Sequence, residues 1–272
     1  MIPCRPNIAF TRAGVSRLAL AAALAAILGA CAQQPRPDVT GSISSPPAQM
    51  SEGDWRKQAE SLADRYRQEP NNVSVAVAYA QALRASGQRA QAAAVLQQAS
   101  IRNPKDKAVL GAYGRALADA GRLAEAFDIL GKAHTPDQPD WRILNAQGAV
   151  LDQLGRHGEA QRYYQTALGI EPNEPAILSN LGLSYALSKD LDRAEDTLRK
   201  AVTNPRAEPK MRQNLGVVLA LRSKFEEAER VTSGILSPDQ ARSNVAYVRE
   251  LMREPAVAQP KAKRPQRTAA AS

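Results

Sequence analysis

A chain of 272 residues with a formal net charge of +9 is long enough to fold around a sizeable core. The positive charge does not indicate a nucleic-acid-binding surface, because seven of the nine charges come from residues 1–17 and 253–272 and the body between them is nearly neutral. Aromatic residues make up only 4% of the chain, which is low for a β-sheet domain.

The first 30 residues have the order of a secretory signal peptide. Arg5, Arg12 and Arg17 precede an uncharged run of 13 residues from Leu18 to Ala30, and there is no acidic residue among them. The run is too short to cross a bilayer, which takes about 20 apolar residues in a helix. We therefore expect residues 1–30 to be removed, which lowers the net charge from +9 to +6.

The signal ends in the sequence LGAC at residues 28–31, which resembles the lipobox of bacterial lipoproteins. The resemblance implies that Cys31 becomes the first residue of the mature chain and carries the lipid anchor; an ordinary cleaved signal is the alternative. Loss of Cys4 and acylation of Cys31 leave no thiol for a disulfide or a metal site. Ala32 is not the aspartate that retains such lipoproteins at the inner membrane. The resemblance therefore implies the periplasmic face of the outer membrane.

A polar segment rich in Pro, Ser, Gly and Gln covers residues 31–51 and is expected to be a flexible tether. From Glu52 onward the composition changes to Ala, Leu, Arg, Gln and Glu, which are strong helix formers. No window alternates polar and apolar residues with a period of two. The body is therefore predicted to be all-α.

Small and large residues recur through the body at intervals of 34. The series are Ala92, Ala126, Ala160, Ala194 and Ala228; Leu96, Leu130, Tyr164 and Leu198; Gly87, Gly121 and Gly155; and Gly114, Gly148, Gly182 and Gly216. This period and pattern are typical of the tetratricopeptide repeat (TPR), a helix–turn–helix unit. We predict an all-α, right-handed superhelical solenoid of about five units spanning 73–242. The unit boundaries are 73–106, 107–140, 141–174, 175–208 and 209–242.

Repeat arrays need capping helices at both ends. Residues 52–72 are predicted to form the N-terminal capping helix. Pro238 and Asp239 indicate a further half unit with Asp239 as its N-cap, and residues 243–254 are assigned to the C-terminal capping helix. The last residues, 255–272, lack periodicity and are predicted to be a disordered basic tail; binding to anionic lipid headgroups or to an acidic partner is the alternative.

The sequence offers no catalytic constellation. His134 is predicted in a loop between units and His157 in the turn of the third unit. Glu159, Glu195 and Glu227 recur at the start of second helices, where they favour the helix dipole, and they are expected to be solvated. We therefore predict that the protein is not an enzyme, that it has no cofactor and no metal, and that its partners include no nucleic acid and no small-molecule substrate.

TPR arrays bind peptides or helices on the concave face that their first helices form. By the repeat phase, positions 2, 5, 9, 12 and 13 of each unit line this groove, which is polar in the third unit and apolar in the fourth and fifth. The candidate partner-binding residues are Arg142, Asn145, Leu183, Leu187, Val217 and Leu221. Position 9 carries Gln81, Arg115, Ala149, Leu183 and Val217, so the Lys/Asn/Arg carboxylate clamp of chaperone-binding TPRs is absent. The apolar part is covered either by the protein's own C-terminal helix or by an external apolar partner.

The lipobox, the short tether, the repeats and the closing segment at 211–252 together resemble the TadD lipoproteins of the tight-adherence (Flp pilus) system. The closing segment carries RQNL at 212–215 and NVAYVRELM at 244–252. The resemblance covers nearly the whole chain and implies a periplasm-facing scaffold that helps localise or assemble the pilus secretin, in the manner of a pilotin. A TPR lipoprotein scaffold for outer-membrane protein insertion or for regulation of peptidoglycan synthesis is the alternative.

Overall fold

The computed structural model describes residues 50–253, which fold into twelve α-helices and no β-sheet. In chain order the helices are α1 (Glu52–Gln68), α2 (Val73–Ala85), α3 (Arg89–Arg102), α4 (Lys107–Asp119), α5 (Leu123–Gly131), α6 (Trp141–Gln153), α7 (His157–Ile170), α8 (Pro175–Leu187), α9 (Leu191–Thr203), α10 (Pro209–Leu221), α11 (Phe225–Thr232) and α12 (Pro238–Arg253). None of these helices is long and apolar enough to cross a membrane. The predicted signal peptide 1–30, the lipidation residue Cys31, nearly all of the tether and the tail 255–272 lie outside the described residues.

Helix–turn–helix units follow one another with a strict period. The five first helices start at Val73, Lys107, Trp141, Pro175 and Pro209, at intervals of 34 residues. The five second helices start at Arg89, Leu123, His157, Leu191 and Phe225, at the same interval. This arrangement confirms the prediction of an all-α TPR solenoid.

Most first helices begin directly after a side chain that caps them. The cap contacts join Asn72 Oδ1 to Val75 N (3.3 Å), Asp106 Oδ1 to Ala108 N (2.9 Å), Asp140 Oδ1 to Arg142 N (2.7 Å) and Glu174 Oε1 to Ala176 N (3.5 Å). Each accepts a backbone N–H of the first turn that has no partner inside the helix. The first helical position is proline in α8 and α10, where the missing N–H costs no hydrogen bond.

Within a unit, the two helices cross at a small residue on the first helix. A Cβ at Gly148 would lie 2.6 Å from Tyr164 Cε1, and a Cβ at Gly182 would lie 2.6 Å from Leu198 Cγ. The first unit has Ala80 at this position, and its side chain is fully buried. Absence of a larger side chain thus lets the large residue of the second helix fill the crossing, as the repeat pattern predicts.

The turn inside each unit requires a left-handed residue. Gly87, Gly121 and Gly155 have φ between 75° and 79°. At the same position the fourth and fifth units have Lys189 and Ser223, with φ of 69° and 62°. The turn geometry therefore persists where the sequence no longer supplies glycine.

The C-terminal helix differs from the sequence prediction in its start. Helix α12 begins at Pro238 rather than 243, and its N-cap is Ser237 rather than Asp239. Ser237 Oγ accepts the Gln240 backbone N–H at 3.3 Å, and Gln240 Oε1 accepts the Ser237 N–H at 3.0 Å. This reciprocal pair is a capping box, which fixes the helix start two residues before the predicted cap.

Candidate peptide-binding groove

The first helices form one continuous layer, in which α2 packs on α4, α4 on α6, α6 on α8 and α8 on α10. Side chains at positions 2, 5, 9, 12 and 13 of successive units therefore belong to one surface, which we call the groove. Its composition changes along the array, from charged and polar in the first three units to aliphatic in the last two.

The two polar candidates are held by contacts inside the protein. Arg142 is exposed, and its guanidinium carbon lies 4.3 Å above the centre of the Trp141 ring. Asn145 is half-buried, and its Oδ1 accepts a hydrogen bond of 3.0 Å from Asn180 Nδ2 in the next unit. Asn145 thus ties two units together and has its amide N–H groups left to donate to a ligand.

The four aliphatic candidates are half-buried and stand on two adjacent helices. We call them the apolar wall: Leu183 and Leu187 on α8, and Val217 and Leu221 on α10. Their neighbours Leu181, Leu215 and Leu219 are buried in the core. Apolar side chains that are only partly covered retain area that a partner can bury.

The C-terminal helix reaches one member of the apolar wall. Helix α12 packs against α10 and α11, and Val217 lines a crevice there together with Val245 and Val248 of α12. The interpretation in which the protein covers its own groove thus has a structural counterpart at Val217. The two leucines on α8 lie one unit further along the array.

A buried carboxylate that sequence reasoning left without a role ties three helices together. Asp152 Oδ1 accepts hydrogen bonds from His157 Nδ1 and Ser184 Oγ, both at 2.8 Å, and Asp152 Oδ2 accepts one from the Tyr164 hydroxyl at 2.9 Å. Burial raises the pKa of Asp152 above its ordinary value, although these hydrogen bonds act in the opposite direction. His157 and Ser184 both contact the carboxylate and not each other, so the cluster joins α6, α7 and α8 without forming a serine–histidine pair.

The expectation that Glu195 is solvated is wrong. Only 4% of this residue is exposed, and its carboxylate accepts hydrogen bonds from Lys224 Nζ (2.8 and 2.9 Å), Arg199 Nη2 (2.7 Å) and Arg222 Nη1 (2.5 Å). Burial alone would raise the pKa of Glu195, but these three cations outweigh it and hold the pKa at about 2. Glu227 also pairs with Arg199, at 2.6 Å. The glutamates of the fourth and fifth units therefore join neighbouring units.

Within residues 50–253, no group of three or more His, Cys, Asp or Glu side chains could hold a metal ion. His134 contacts only Gln147, with Nε2 3.1 Å from Oε1. The polar clusters of the described chain thus consist of structural hydrogen bonds and ion pairs.

Two family models match the chain. Residues 56–133 match the model described as anaphase-promoting complex, cyclosome, subunit 3, and residues 145–211 match a tetratricopeptide-repeat model. No curated protein sequence is significantly similar to the chain.

Solved TPR structures share the fold at low sequence identity. The type IV pilus biogenesis factor PilW is 18% identical with a TM-score of 0.60, and the match covers 70% of this chain and 90% of PilW. The Cut9–Hcn1 hetero-tetramer of the APC/C is 16% identical with a TM-score of 0.60, covering 74% of this chain and 40% of that one. Human IFIT1 is 16% identical with a TM-score of 0.55, covering 65% and 45%. These likenesses show the fold, which is typical of scaffolds for protein–protein interaction.

Proposed function

We propose that this tetratricopeptide-repeat solenoid is an outer-membrane lipoprotein scaffold, anchored at the periplasmic face, that binds a segment of the Flp/Tad pilus secretin in its groove and assists its assembly or localisation. The observation that carries the binding role is the apolar wall on α8 and α10. Four aliphatic side chains of adjacent first helices are left half-buried on the face that TPR arrays use for ligands.

The anchoring role is supported by the LGAC sequence at residues 28–31. Burial of acyl chains contributes about 0.8 kcal/mol per CH₂, so two or more chains hold a protein at a membrane almost permanently. The polar tether of residues 31–51 gives the solenoid reach from the surface. A partner groove held near the membrane suits a protein whose client is inserted there.

The pilus role is supported by the closing segment at 211–252, which builds α10, α11 and α12. Several of its residues serve the fold, because Met211 and Leu215 are buried and Asn214 Nδ2 donates to Ser179 Oγ at 2.9 Å. Others, such as Arg212 and Tyr247, are exposed and free to contact a partner. A TPR solenoid is also the fold of PilW, so the architecture suits pilus biogenesis.

A scaffold for outer-membrane protein insertion or for peptidoglycan synthesis would use the same anchor and the same groove. Identification of the groove's occupant separates these functions. A photocrosslinking amino acid at Leu187 of the membrane-bound protein, followed by mass spectrometry of the product, is the direct experiment. The same amino acid at Ile101 is the control, since Ile101 is 65% exposed on the second helix α3.

We expect the pilus secretin to be crosslinked at Leu187 and not at Ile101. A β-barrel insertion component or a peptidoglycan synthase in its place would support the alternative function. Equal yields at the two positions would show that the groove is not the binding site.

A further inference from the structure

Three arginines stand on neighbouring first helices in the other half of the groove. Arg84 lies on α2, Arg115 on α4 and Arg142 on α6, at positions 12, 9 and 2 of the first three units. We call these residues the arginine cluster. All three positions belong to the groove by the phase that the helix starts follow.

Two members of the arginine cluster have partners within the protein. Arg84 Nε lies 2.5 Å from Asp119 Oδ2, and Arg142 stacks on Trp141. Asp140, the nearby acid, has an oxygen committed to the N–H of Arg142 as the N-cap of α6. The carboxylates of this region are therefore already engaged.

Arg115 has no such partner. Among residues 50–253, no carboxylate or other acceptor makes an ion pair or hydrogen bond with its guanidinium. The side chain is half-buried and turns back over its own helix, because a Cβ built at Gly111 would lie 3.6 Å from Arg115 Nη1. An arginine remains charged at any physiological pH, so this is a partly desolvated cation without a counter-ion.

The surrounding charges add to this deficit. Burial lowers the pKa of Arg115, and the charge of Arg84 lowers it further. Asp140 and Asp119 act in the opposite direction and Arg142 again lowers it. The site therefore favours an added negative charge, and a carboxylate offers the planar bidentate acceptor that a guanidinium fork matches.

We propose that Arg115, flanked by Arg84 and Arg142, binds a carboxylate of an acidic peptide segment of the partner protein. The partner segment would then be acidic where it crosses α2, α4 and α6 and apolar where it crosses α8 and α10. This inference rests on the proposed function, since it specifies the chemistry of the segment that the groove accepts.

A direct test is fluorescence anisotropy of a dye-labelled hexaglutamate peptide titrated with the full-length protein in detergent, with hexaglutamine as the uncharged reference. We expect hexaglutamate to bind and hexaglutamine not to bind, and the Arg115→Gln variant to weaken binding about tenfold or more. Arg89→Gln is the matched control, because Arg89 is exposed at the start of the second helix α3 and the charge change is the same. Its affinity should equal that of the unmodified protein.

The melting temperature of Arg115→Gln without peptide separates binding from a structural role. Because no internal ion pair is lost, we expect the variant to melt at the same temperature or higher. A lower melting temperature, equal weakening by Arg89→Gln, or equal binding of the two peptides would each overturn the inference.

Failure of the inference and failure of the proposed function give different results. If hexaglutamate does not bind but Leu187 still crosslinks to the secretin, the proposed function stands and the acidic specificity is wrong. If hexaglutamate binds through Arg115 and Leu187 crosslinks no secretin, the specificity stands and the pilus role is wrong.

Discussion

Gly148 on α6 faces the ring of Tyr164 on α7 so closely that a Cβ on Gly148 would lie 2.6 Å from Cε1 and 2.8 Å from Cζ. The ring cannot move away freely, because the Tyr164 hydroxyl donates to buried Asp152 at 2.9 Å and the residue is 1% exposed. The helix crossing of the third unit thus depends on a residue without a side chain on one helix and a fixed aromatic ring on the other.

This contact predicts that Gly148→Ala destabilises the protein in spite of the higher helix propensity of alanine. Overpacking costs about 1–3 kcal/mol, whereas the propensity gain is about 1 kcal/mol. Gly169→Ala is the control, since Gly169 lies in helix α7 with no atom within 4 Å of an added Cβ and should gain stability. Urea unfolding followed by circular dichroism measures both changes. Two changes of the same sign would contradict the assigned crossing.

The left-handed turns predict a stabilising substitution. Lys189 has φ of 69° at the position where three earlier units have glycine. A left-handed conformation costs a residue with a side chain about 1–2 kcal/mol, and glycine loses part of this gain through the entropy of the unfolded chain. We expect Lys189→Gly to raise the free energy of unfolding by up to about 1 kcal/mol. The reverse change in the neighbouring unit, Gly155→Lys, should lower it, and a stabilised Gly155→Lys variant would refute this account.

The Glu195 cluster predicts loss of stability in acid. The pKa of Glu195 is lowered from 4.5 to about 2, so its contribution is complete above the unfolded value and is lost as the pH falls from about 5 to 2. The shift corresponds to roughly 3 kcal/mol. Glu195→Gln should be less stable at pH 7, because Arg199, Arg222 and Lys224 lose their shared counter-ion, and its unfolding should depend less on pH in this range. Unfolding titrations from pH 7 to 2 test this, with Glu60→Gln on the exposed side of α1 as the control.

The repeat architecture could be predicted because its signals are local. Cap residues such as Asp106, the small residues at the crossings and the turn glycines each act within a few residues of their own position. The period of 34 then repeats these signals five times. The start of each helix follows from them.

The polar clusters could not be predicted, because their members come from different units. Glu195 on α9 meets Arg222 and Lys224, which are 27 and 29 positions later in the turn of the fifth unit. Asp152 meets Ser184, which is 32 positions later. The sequence shows only an acid at a helix start and a polar residue at position 12, and both patterns are typical of solvated surfaces. Packing of successive units decides which of these acids becomes buried.

The lipid anchor gives a prediction that uses both cysteines of the chain. Cys31→Ser should abolish incorporation of labelled palmitate and release the protein from the membrane, since the thiol is the acylated group. Cys4→Ser is the matched control and should retain both properties, because Cys4 lies in the predicted signal peptide. Membrane fractionation with palmitate labelling measures the effect. A Cys31→Ser protein that still fractionates with the outer membrane would show that lipid is not the anchor.

The apolar wall gives the functional prediction, with the double variant Leu187→Glu, Leu221→Glu. Full burial of one such side chain contributes about 1.5–3 kcal/mol, so loss of two contacts should weaken a partner by about a hundredfold or more and abolish surface pili. Because both residues are half-buried, we expect the protein to stay folded, as measured by circular dichroism melting. If α12 instead covers this wall, the same variant should melt at a lower temperature. The control is Ile101→Glu, Ile170→Glu, which changes two exposed aliphatic side chains on the second helices α3 and α7 and should leave pili intact. A stable Leu187→Glu, Leu221→Glu protein that still assembles pili would exclude the groove as the partner site.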